Sequence, residues 1–189
     1  MIASFIDGPL WYFSATVFVI GVIWRLFAIL RLRGRKKVLS KPRNTTGGGA
    51  LATILRRFVP YREFATVSRS RVVAGYAFHL GLFALLFFAA PHMEFIRDRI
   101  TGFGWTPLPY WGFIVASQLA FFGLLFLIIY RIMNPVTRLL SDSGDYLASI
   151  LVFIVMLTGC MALLQENEAL RLLHLFTAEV LLIYFPSAR

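Results

Sequence analysis

With 189 residues, of which 59% are hydrophobic and only 15% charged, and a mean hydropathy of +0.75, the chain lies far outside the composition of a soluble domain and belongs in a bilayer. The formal net charge of +10 is concentrated in one loop rather than interleaved with soluble structure, which argues against a nucleic-acid partner. The single cysteine, Cys160, excludes an intrachain disulfide and reads as a small apolar residue.

A spanning helix needs roughly 20 mostly apolar residues. Five segments qualify, at about 10–30, 73–91, 111–130, 146–164 and 170–186. The first lacks the basic lead and the small-residue cleavage pattern of a secretory signal, so it reads as a true helix. A basic loop, 31–72, follows it. From Arg31 to Arg71 it holds twelve Lys/Arg and one acid, Glu63, and the positive-inside rule places it in the cytoplasm. Within it Leu51, Ile54, Leu55, Phe58 and Val59 recur at helical spacing with Arg56 and Arg57 between them. That pattern predicts a short interfacial helix ended by Pro60, suited to anchoring at the membrane surface or to docking a cytoplasmic partner. The glycine-rich run Thr45 to Gly49 lacks the lysine and the strand of a phosphate loop and reads as a connector. Trp105, Tyr110 and Trp111 read as an interfacial belt. Arg131 and Arg138 fall in the second inside loop, whereas Glu94, Asp98, Glu166 and Glu168 fall outside. The expected fold is an all-α membrane protein, one domain built as a bundle of five transmembrane helices, with the N-terminus outside and the C-terminus in the cytoplasm.

Three histidines exist, His79, His92 and His174, all in or at the ends of predicted spans. Ionisable groups within a membrane are costly and mark functional sites by default. Neutral imidazole is a standard axial ligand of haem iron, and a helical bundle can grip a macrocycle between facing helices. His79 and His92 are thirteen residues apart, about 20 Å along a helix, so they cannot share one haem. The fifth helix runs opposite to the second, which puts His174 level with His92, and that pair is the candidate for one outer haem. Pro91 leaves open whether His92 sits on a helix or on a loop. His79 has no histidine at its own depth.

Helix two, Phe78-His79-Leu80-Gly81-Leu82, and helix five, Leu173-His174-Leu175 leading to Phe185-Pro186-Ser187-Ala188-Arg189, resemble the membrane gamma subunit of respiratory nitrate reductase and the related cytochromes of dissimilatory sulfur and hydrogenase complexes. The link between helices three and four adds Arg131, Pro135, Arg138, Gly144 and Asp145 in the family's order. The resemblance runs from about residue 74 to the end. It implies a haem b cytochrome, with one or two haems, in the inner (cytoplasmic) membrane. Such a protein passes electrons between a quinone and a cytoplasmic-side iron–sulfur subunit, with no substrate chemistry of its own beyond the quinone. His79, His92 and His174 would ligate haem iron. The family's second ligand on helix five would fall at position 192, eighteen residues past His174 and beyond Arg189. The resemblance therefore implies a chain that continues and a partner there for His79. In helix two the family has two histidines ten apart; here Ala89 stands at that point, and His92 is the expected substitute.

Two further polar features are candidates. Glu179 follows His174 by five residues, about 140° around the helix, and suits a quinone or proton site or a pairing with a polar group of another helix. Arg131 and Arg138 suit haem propionates or plain topological anchoring. The competing reading is a haem-free membrane anchor or small proton-linked transporter, which would be expected to show repeat symmetry and broken helices at the midplane. The sequence shows neither.

Overall fold

The structure, a computed structural model, describes residues 2–33, 55, 58, 68–165 and 167–187. The predicted interfacial helix, apart from Leu55 and Phe58, and the connector at Thr45 to Gly49 lie outside the described residues. Every regular element among the described residues is helical. Five runs, Ile2–Arg31, Arg69–Phe88, Tyr110–Met133, Ser143–Gln165 and Glu168–Ser187, are long and apolar enough to cross a membrane. The chain is an all-helical, multi-pass membrane protein, and each predicted segment corresponds to one of these runs. Helices suit this setting because a backbone in lipid must satisfy its own hydrogen bonds.

We name the helices α1 (Trp11–Arg33), α2 (Arg69–Phe88), α3 (Ala90–Ile96), α4 (Tyr110–Met133), α5 (Pro135–Leu140), α6 (Ser143–Gln165) and α7 (Glu168–Tyr184). Contacts group them into two compact units, one of α1 with the chain from Leu175 onward, the other from Arg69 to His174. In the first unit Arg25 Nε donates to the Pro186 carbonyl at 2.8 Å, and the Phe18 and Phe185 rings lie 5.7 Å apart. Gly21 opposes the Pro186 ring so closely that a β-carbon there would collide with it.

In the second unit α2 packs on α4 through small residues. A β-carbon on Gly81 would lie 2.5 Å from the Ala116 carbonyl oxygen, and one on Gly123 would lie 2.5 Å from the Phe78 backbone nitrogen. Lipid tails are as apolar as leucine, so close backbone approach, rather than apolar burial, brings such helices together. Around this contact Leu85, Ala89, Phe113, Ala116, Ala120, Leu124 and Met156 form the core.

The link from α4 to α6 is held by two local caps. Asn134 Oδ1 accepts from the Val136 and Thr137 amides, each at 3.1 Å, at the start of α5. Asp142 Oδ1 accepts from the Asp145 amide at 3.0 Å while Asp145 Oδ2 accepts from the Asp142 amide at 3.2 Å, a reciprocal cap on α6. Asp142→Ala is expected to cost about 1 kcal/mol, read as a lower unfolding midpoint in detergent. Asp145→Ala should cost more, because it also strands Arg131, whose Nη1 lies 3.1 Å from Asp145 Oδ2.

Candidate functional site: two histidine positions

α2 stops at Phe88. Ala89 is extended (φ −66, ψ 135), and α3 restarts at Ala90 with Pro91 in its first turn. Proline is tolerated there because that position has no helical acceptor for an N–H. His92 therefore sits on a helix and not on a loop, and the break turns it back toward the end of α2. Its Nδ1 donates to the Leu85 carbonyl, seven residues earlier, at 2.9 Å. Trp105 closes the same end, donating from Nε1 to the Phe87 carbonyl at 2.8 Å.

His174, in α7, donates from Nδ1 to the Val155 carbonyl of α6 at 3.0 Å, with Thr158 Oγ1 at 3.4 Å from the same nitrogen. The His92 and His174 rings face each other with centroids 5.8 Å apart and planes 26° apart. A carbonyl can only accept, so in both rings Nδ1 carries the hydrogen and Nε2 presents a lone pair. A backbone carbonyl behind an imidazole is the usual device for fixing a ligating tautomer. No cluster of three or more His, Cys, Asp or Glu exists among the described residues. A haem brings its own equatorial nitrogens and asks a protein for at most two axial donors.

His79 stands apart from this pair. Its Nδ1 donates to the Gly75 carbonyl at 2.7 Å, which leaves its Nε2 available as well. It lines a cavity of about 410 Å³, together with Phe78, Leu124 and Leu127 on the apolar side and Arg71, Tyr130, Arg131, Ser141 and Ser149 on the polar side. The Arg71 guanidinium lies 5.8 Å from the centre of the Tyr130 ring. Arg131 is held by Asp145 and by Ser141 Oγ, which accepts from Nη1 at 2.9 Å. Arg138 is exposed on α5 and is not among the residues lining that cavity.

Glu179 is 2% exposed, and its Oε2 has no hydrogen-bond partner among the described residues. It belongs to the first unit.

Sequence reasoning singled out the three histidines and Arg131 but missed the residues that aim them. The Leu85 and Val155 carbonyls leave no trace in residue type. Arg71 had a signal, since it sits two turns before His79 on α2, but it was counted only as loop charge. The one signal for Gly159, which lies against the His174 ring, was a lone glycine inside an apolar helix.

The fold and the site define a class: an all-helical multi-pass membrane protein with two facing imidazoles and a third set in a cavity with arginines. No family model matches the chain, and no solved structure does. A curated protein of Nitratidesulfovibrio vulgaris that carries no functional name is 28% identical over 192 residues, covering 98% of this chain and 84% of its own length.

Proposed function

We propose that this protein is a membrane b-type cytochrome subunit, with His92 and His174 as axial ligands of one haem. The observation that carries the reading is the facing pair itself, two imidazoles 5.8 Å apart, each with Nδ1 tied to a backbone carbonyl. His79 is the ligand of a second haem, whose other axial donor is not one of the two paired histidines. Arg71 and Arg131, on the polar side of its cavity, suit the carboxylates of that group. When bound, haem supplies one-electron redox chemistry; the chain supplies ligands, a low-dielectric setting and position.

In this reading the basic loop is cytoplasmic, the membrane is the inner one, and the His92–His174 position lies toward the outer face. Electrons pass between a membrane quinone and a cytoplasmic-side iron–sulfur subunit. Glu179, buried and with one carboxylate oxygen that has no partner among the described residues, suits proton exchange with the quinone.

The test is to add a reduced naphthoquinol or benzoquinol analogue to the air-oxidised protein in proteoliposomes. A b-type absorbance change on mixing is expected. A chromophore that dithionite reduces and neither quinol does would sink the quinone assignment while leaving the cytochrome. The absence of any haem absorbance would leave a membrane anchor or proton-linked transporter in its place.

A further inference from the structure

Val155 and Gly159 lie one turn apart on the same face of α6, and the His174 ring lies along that face. Its Nδ1 is tied to the Val155 carbonyl at 3.0 Å. Its Cε1 edge rests on residue 159: a β-carbon there would lie 2.8 Å from Cε1, 3.0 Å from Nδ1 and 3.3 Å from Nε2. Any side chain at this position would meet the imidazole edge. The α6 backbone has little room to yield, because Met156 is buried and Val152, Phe153 and Cys160 pack against the same core. The imidazole is the part that would move, and moving it lengthens the Val155 bond and shifts the ring from its position against His92.

We infer that Gly159 is a positioning residue for His174: by lacking a side chain it lets the imidazole edge rest against α6, held between the Val155 carbonyl and the bare backbone. This rests on the haem reading above for its function, though not for its geometry. Glycine in the middle of a helix is less stable than alanine there, so a position that only packed would gain from alanine. Position 159 is expected to lose.

The experiment uses the full chain with Gly159→Ala, His174→Ala and the double variant. Gly8→Ala serves as the control, because a β-carbon at Gly8 meets nothing within 4 Å. In Gly159→Ala, the low-spin haem signal that His174→Ala abolishes is expected to shift its electron paramagnetic resonance g values and its midpoint potential, or to fall several-fold in occupancy. The other haem and the Gly8→Ala protein should match wild type. Unfolding in detergent gives the second readout. Gly159→Ala should destabilise the wild-type chain but not the His174→Ala chain, a non-additivity expected only if residue 159 acts through the ring. An unchanged haem signal together with equal stability effects in both backgrounds would overturn the inference. If the wild-type protein carries no haem, the cytochrome reading fails. The unfolding cycle then decides the positioning role alone, non-additivity supporting it and additivity overturning it.

Discussion

His174→Ala is expected to remove one haem b per chain while the protein still folds in detergent. The ring is half-buried between α6 and His92, and in the proposed cytochrome its loss takes away one of the two proposed axial donors, with no group of three or more His, Cys, Asp or Glu among the described residues. His92→Ala should remove the same haem. The two losses should not add, because residues that act as a unit are lost as a unit. His79→Ala should remove a different haem, since His79 lines a cavity that neither of the other histidines lines. Pyridine haemochrome assays on the three single variants and on the His92/His174 double variant check this pattern. If His174→Ala and His92→Ala each lost a separate haem, the facing pair would not share one site.

Gly123→Ala should be the most damaging single change to the fold. The added β-carbon would sit 2.5 Å from the Phe78 nitrogen and 2.6 Å from the Ala74 oxygen, both backbone atoms, so no rotamer change relieves it. α2 and α4 must separate, and Gly81, Ala116 and Ala120 lose their close approach as well. Overpacking of this kind costs about 1–3 kcal/mol, sometimes more. Gly75→Ala makes the same chemical change on α2, but nothing lies within 4 Å of its β-carbon; it should be neutral or slightly stabilising, since alanine is the better helix former. Unfolding of both variants in mixed detergent, side by side, reads the difference. Equal midpoints would mean that the α2–α4 contact contributes little.

The five spans were legible because the bilayer imposes one rule, a long apolar run with its backbone satisfied internally. Their ends shifted by a few residues, with α2 beginning at Arg69 rather than 73 and ending at Phe88 rather than 91. The level of His92 with His174 was legible from helix direction alone, and the two rings face each other. The break at Ala89 was half legible. Pro91 marks a boundary, but only the extended Ala89 shows that the chain resumes as helix and turns His92 back over Leu85. The orienting carbonyls and the bare face at Gly159 were not legible, because they depend on which helix lies beside which, and hydropathy carries no such information. Arg131 was picked out by sequence, and its carboxylate partner, Asp145, is fourteen residues on; both stand in the run that carried the family resemblance.

The central claim is that the chain binds haem at these histidines, and the most direct measurement is a dithionite-reduced minus oxidised spectrum of the purified wild-type protein with haem b counted per chain. The account predicts a b-type difference band with two haems per chain, one of them lost in His174→Ala. A well-folded, monodisperse protein with no haem absorbance would contradict it.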